Sequence, residues 1–96
     1  MPFIQIVDFE TDRPEQLRAL ADQMRASNMS PQWSRMTTTH DHNNPKHYAT
    51  IVEFPSWEAA QASNNDPQVQ AFAQQMGQLC TRGPSFTDLD VEESMP

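Results

Sequence analysis

The chain has a single cysteine, Cys80, so no disulfide can form within it. It has only two glycines, Gly77 and Gly83, so chain reversals must rely on Asn, Asp, Ser and its eight prolines. Bases are few: Arg13, Arg18, Arg25, Arg35, Lys46 and Arg82 are scattered among 13 acids, for a formal net charge of −7. That field repels a phosphate backbone, and no basic patch stands out, so nucleic acid is not an expected partner. No apolar run approaches the ~18 residues of a membrane span, and MPFIQIVDFE has no basic segment leading into an apolar one. The expectation is a protein without a membrane partner, in the cytoplasm. Free cysteine is usually buried, and Cys80 closes an apolar helical stripe, so it reads as an inert core thiol.

Ninety-six residues make one domain, 1–96, with a thin core. A chain of this size buries only roughly 60–65% of its unfolded surface, so self-association would help it. Phe, Ile and Val dominate residues 3–10, which read as a strand. A helix follows, with Asp12 as its cap, Glu15 three residues on and Pro14 in the first turn. Leu17, Leu20, Ala21 and Met24 form its apolar stripe, and Asn28 and Pro31 end it. Residues 32–40 and 46–54 are strand candidates. Ser56 caps a short helix, and Asp66-Pro67 restarts it with the stripe Val69, Phe72, Ala73, Met76 and Cys80. After the stop signal Arg82-Gly83-Pro84, residues 85–92 alternate as a last strand. The order predicts an α+β fold, a ferredoxin-like βαββαβ four-stranded antiparallel sheet with both helices on one face.

The connection TTTHDHNNPKHY holds all three histidines. With Asn43-Asn44 at the centre of a two-residue turn, Thr39 faces Tyr48, Arg35 faces Val52, and His40 faces His47. This spacing is consistent with a solvated hairpin tip, a two-histidine metal site aided by Asp41 or His42, or a histidine at a pocket mouth acting as a proton carrier. The tip is the leading reading, so no metal is expected.

Alternation then separates two faces. Met36, Ala49 and Ile51, with Ile4, Ile6, Leu89 and Val91, are small or aliphatic and suit a helix layer. The opposite set is aromatic and polar together. It holds Gln5, Trp33, Arg35, Thr37, Tyr48, Thr50, Phe54, Phe86 and Asp88, with Phe3, Val7 and Phe9. An open patch of that kind calls for a partner or a ligand. It is either a packed homodimer interface or a dimer enclosing a cavity for a small apolar or aromatic ligand. In the second case Gln5, Trp33, Thr37, Thr50, Phe54 and Phe86 bind the ligand. Tyr48, Arg35 and Asp88, with His47, are then candidates to polarise it or accept its proton.

The element order over residues 3–92, together with YATIVEFPSWEAAQASNNDPQVQAF, resembles the dimeric α+β barrel superfamily, most of all its antibiotic-biosynthesis-monooxygenase-type domains. That stretch carries a third strand ending in an aromatic residue, a Ser-capped Trp-Glu-Ala-Ala turn, and Asn-Asp-Pro before a helix bearing Phe72. The resemblance implies a homodimer with a ligand pocket between each sheet and its own helices, or inside the barrel. Members of that superfamily include cofactor-independent monooxygenases of aromatic polyketides or quinols, haem-degrading enzymes and many proteins of unknown role, so the resemblance implies a cofactor-independent monooxygenase or, as the alternative, a non-catalytic ligand-binding or accessory protein of the same fold. Haem degraders of this kind usually ligate iron through a histidine on the second long helix. PQVQAFAQQMGQLC has none, so no cofactor is expected. Trp33 or Trp57 would match the aromatic pocket residues of the oxygenases.

Overall fold

The structure, a computed structural model, describes residues 1–26 and 32–96. The elements run β1 (Phe3–Glu10), α1 (Pro14–Ala26), β2 (Arg35–His40), β3 (His47–Phe54), α2 (Trp57–Asn64), α3 (Pro67–Leu79) and β4 (Arg82–Asp90). They form one antiparallel sheet of order β2-β3-β1-β4, the ferredoxin-like arrangement. β2 starts three residues later than the sequence pattern suggests, and β4 spans 82–90 rather than 85–92.

Local chemistry fixes the helix starts. Ser56 accepts a hydrogen bond from the Ala59 amide and caps α2. Asp66 accepts from Gln68, and Pro67 takes the first helical position of α3, where its missing N–H costs nothing. The start of α1 differs from expectation. Asp12 does not cap it but pairs with Lys46 at 2.9 Å. Buried Thr11 does the anchoring instead, accepting from the Arg13 amide at 2.9 Å and donating to the Leu79 carbonyl at 2.6 Å. One side chain thereby ties the start of α1 to the end of α3. The helix end assigned to Asn28 and Pro31 lies outside the described residues. Gly83 sits at φ +80°, and a Cβ there would come within 2.8 Å of the Asp8 carbonyl oxygen, so this turn into β4 requires glycine.

Two expectations about the sheet are overturned. The hairpin is not a two-residue type I′ turn, because among the described residues no non-glycine residue has positive φ. Residues 41–46 instead form two successive turns, Asp41 to Asn44 and Asn44 to His47. Each is stabilised by an Asx side chain: Asp41 accepts from the Asn43 amide and Asn44 from the Lys46 amide. The register therefore shifts by one residue: His40 faces Tyr48, Thr38 faces Thr50, Met36 faces Val52 and Arg35 faces Glu53.

The second correction concerns which face carries the helices. Phe3, Val7, Phe9, Val52 and Phe54 are buried against Ala60 and Met76, with Leu17, Leu20 and Phe72 packed around them. On β1, β3 and β4 the aromatic set faces the helices and the aliphatic set is the open face, while the one-residue shift on β2 keeps Met36 on the helix side, as expected, and puts Arg35 and Thr37 on the open face. Successive rows of that open face read Leu89-Ile4-Glu53-Arg35, Thr87-Ile6-Ile51-Thr37 and Ser85-Asp8-Ala49-Thr39. The physical reason is depth. Helices stand well off a sheet, and Phe fills that gap better than Ile, while a flat aliphatic surface suits a second flat surface.

Candidate functional site

Between α1, α3 and the sheet lies a cavity of about 450 Å³. Val7, Phe9, Val52 and Met76 make its buried floor, Leu17, Ala21 and Phe72 its helix walls. Its rim is polar: Arg18 and Arg25 from α1, Thr38 and His40 from β2, and Tyr48 and Thr50 from β3. A second chamber of about 240 Å³ adjoins it and shares Val7, Met36, Val52, Phe72 and Met76. Gln5, Trp33, Phe54 and Phe86 line this inner chamber. The volumes suit a ligand of a few fused rings.

The corrected register builds one wall of the cavity. Phe9, Tyr48 and His40 are laterally adjacent on β1, β3 and β2, and their rings stack in series. Centroids are 5.6 Å apart at 10° between Phe9 and Tyr48, and 4.7 Å at 26° between Tyr48 and His40. The His40 Nε2–H donates to the Pro45 carbonyl oxygen at 2.9 Å. A carbonyl only accepts, so Nε2 carries the proton, and in the neutral ring Nδ1 keeps its lone pair. Nδ1 has no hydrogen-bond partner among the described residues. His40 is therefore a ring anchored through Nε2 at the rim of an apolar cavity, with Nδ1 free of hydrogen bonds to described residues.

His47 stands on the other face and cannot do this. Its Nδ1–H donates to Asp41 Oδ2 and its Nε2–H to Asp8 Oδ2, each at 2.7 Å, which requires the imidazolium. The two histidines point to opposite faces of the sheet, so they do not form the two-histidine pair that the simple turn implied. Among the described residues no group of three or more His, Cys, Asp or Glu is placed to hold a metal ion. Arg82 extends the His47 network by donating to Glu10 and Asp8, and Asn44 donates to Glu10.

This network has a definite pH signature. Hydrogen bonds to Asp41 and then Asp8 hold His47 above its ordinary value. His47 holds Asp8 and Asp41 below the usual carboxylate range, and Arg82 followed by Asn44 does the same for Glu10. The raised histidine stabilises the fold fully below its unfolded value of about 6.5 and loses that contribution as pH climbs through the folded one. The depressed carboxylates contribute above about 4 and lose it as pH falls through their lowered values. Melting temperature should thus peak between about pH 4.5 and 6.5. His47→Asn should lower that peak and flatten the alkaline decline; a decline unchanged in the variant would contradict this assignment. Thermal melts at half-unit pH steps check it.

The sequence-derived candidates divide by face. Tyr48 and Thr50 line the outer cavity, and Gln5, Trp33, Phe54 and Phe86 the inner chamber. Asp88 accepts from Gln5 Nε2 at 3.1 Å at the β4 edge of the inner chamber's side. Arg35 and Thr37 lie on the open face, away from the rest, and Arg35 sits on the opposite edge strand from Asp88. Trp57 packs on Phe3 at 5.0 Å, as an anchor rather than a cavity residue. Arg18 and Thr38 carry no pocket signal in the sequence, and His40 enters there only as one of three histidines that could stand at a pocket mouth. Only the true register places His40 beside Tyr48, and the double Asx turn that sets it is written in Asp41 and Asn44.

No family model matches the chain, and no curated protein matches it by sequence. Solved structures do. Rv0793 from Mycobacterium tuberculosis is similar over 100% of both chains, with a TM-score of 0.79 and 22% identity. SnoaB, a cofactor-independent oxygenase from Streptomyces nogalater, is similar over 99% of this chain and 97% of its own, with a TM-score of 0.81 and 14% identity. A candidate antibiotic biosynthesis monooxygenase from Chloroflexus aurantiacus gives 0.74 and 17% over 100% and 98%. At these identities the likeness establishes the fold alone: this chain has the ferredoxin-like α+β fold that these solved structures share. Among the described residues no helix is long and apolar enough to cross a membrane.

Proposed function

We propose that the protein is a homodimeric small-molecule-binding α+β barrel that acts as a cofactor-independent monooxygenase on an aromatic or polyketide-like substrate. The observation that carries this reading is the pairing of an apolar cavity with an imidazole anchored through Nε2 at its rim. The fold shared with SnoaB, a cofactor-independent oxygenase, supports it.

The chemistry follows from the parts. The cavity holds an electron-rich phenol or anthrone flat against Phe72 and the Phe9–Tyr48–His40 stack. His40 Nδ1 takes a proton from the acidic ring carbon, and Tyr48 orients the neighbouring oxygen. The resulting carbanion gives one electron to dioxygen, and the radical pair combines to a peroxide. Loss of water leaves a carbonyl where the methylene was: one oxygen atom enters the product and the other leaves as water. The substrate supplies all the electrons, so the protein contributes position, desolvation and a base.

Oxygen uptake tests the reading. The purified dimer, dialysed against chelator, should consume about one O₂ per anthrone converted to the quinone, well above the rate without protein. Tight binding of anthrone with no excess oxygen uptake would remove the catalytic half. The chain would then be a ligand-binding protein of the same fold.

A further inference from the structure

The charge lining the cavity runs against the charge of the chain. The sequence carries 13 acids and a net charge of −7. Yet among the described residues no Asp or Glu lines either chamber, while Arg18 and Arg25 both stand at the rim of the outer one. They are seven residues apart on α1, two helical turns, and so share one flank of the helix. Arg25 is engaged by Asp22 at 2.8 Å. Lys46 is engaged by Asp12, and Arg82 by Glu10 and Asp8. Arg18, like Arg13 and Arg35, which do not line either chamber, forms no ion pair with any described residue, although acids outnumber bases 13 to 6. Among the described residues none that lines the inner chamber is charged.

We infer that Arg18 selects the ligand's charge: the cavity takes an aromatic carboxylate, its ring system between Phe72 and the Phe9–Tyr48–His40 stack and its carboxylate at the arginine rim. This rests on the cavity being the ligand site and adds the chemical class that the site prefers. A guanidinium offers two parallel N–H donors that match a carboxylate, which a lysine or histidine does not. The overall negative field repels an anion from most of the surface, so a local cationic rim directs it to this opening. The aliphatic part of Arg18 can lie along the apolar ligand edge, contributing contact for any ligand, charged or not.

A matched pair of probes isolates the charge: anthraquinone-2-carboxylate and anthraquinone-2-carboxamide, similar in shape and differing in charge. Binding to the full-length protein is followed by calorimetry at low salt. The carboxylate should bind about fivefold more tightly than the amide, the scale of a solvent-accessible ion pair. That preference should vanish in Arg18→Gln, persist in Arg18→Lys at a reduced level, and shrink toward unity in 0.5 M salt. Circular dichroism of each variant shows that its fold is kept, and the lysine variant carries the test if glutamine is not tolerated. Equal affinity for the two probes in the unaltered protein overturns the inference while leaving the cavity as a ligand site. A preference that survives Arg18→Gln in folded protein overturns the role of Arg18. Failure of both probes to bind overturns the cavity reading and this inference with it.

Discussion

His40→Gln should lower oxygen-dependent turnover of an anthrone by about 10²–10³-fold, the range a positioned general base contributes. The substitution is chosen to be structurally quiet. A glutamine amide can still donate to the Pro45 carbonyl that now accepts from His40 Nε2, and the position is exposed. What disappears is the lone pair at Nδ1. Anthrone affinity should therefore change by no more than a few fold, and melting temperature little. The residual rate should rise with pH, because hydroxide replaces the missing base. His47→Asn is the matched control. That side chain lies on the opposite face with both nitrogens committed to carboxylates, so its loss should move stability and leave turnover intact. A His40→Gln protein as fast as the unaltered one would place the base elsewhere, Tyr48 being the next group on the same wall.

The other large effect concerns self-association. Ile6 and Ile51 are cross-strand partners in the middle of the open face, flanked by Ile4, Ala49 and Leu89, and Leu89 is 42% exposed in the single chain. An aliphatic field of this kind on a 96-residue domain calls for a second surface, and the charges around it are at the margins: Arg35 and Glu53 at one end, Asp8, Glu10, His47 and Arg82 at the other. Two sheets packed through this face would leave each cavity intact on its own helix side. In a twofold interface one substitution counts twice. Ile51→Lys should raise the dimer dissociation constant by more than 100-fold, the scale of several kcal/mol for leaving a charge unpaired in a buried setting. Sedimentation velocity at micromolar concentration checks it: dimer for the unaltered chain, monomer for Ile51→Lys. An unaltered chain that sediments as a monomer would contradict the reading of this face.

Much of the architecture is legible in the residues because local signals and periodicity agree. Ser56 and Asp66 cap as their chemistry suggests, Pro67 sits where its missing donor is free, and Leu17, Leu20, Phe72 and Met76 mark the inner helix faces. The site was harder for two identifiable reasons. Alternation separates the faces of a strand but does not label them. Here both sets are apolar, Phe3-Val7-Phe9 on one and Ile4-Ile6 on the other, so the choice turns on depth of packing. Register then depends on the loop, and a six-residue double turn looks much like a two-residue one when it contains Asn43-Asn44. A single step in that loop separates a pocket histidine from a surface one. Arg18 carries no periodic signal, since it lies just off the apolar stripe, and its significance comes only from what the cavity lacks.

The reassignment of faces is what the proposed function depends on: it puts the proposed ligand on the helix side of the sheet. A crystal structure of the protein with anthraquinone-2-carboxamide tests this most directly. The probe should sit between α1, α3 and the sheet, with one ring against Phe72 and an edge near His40 and Tyr48, one molecule per chain. A probe lodged on the open face over Ile6 and Ile51, with the chamber beside Met76 left unfilled, would contradict the account.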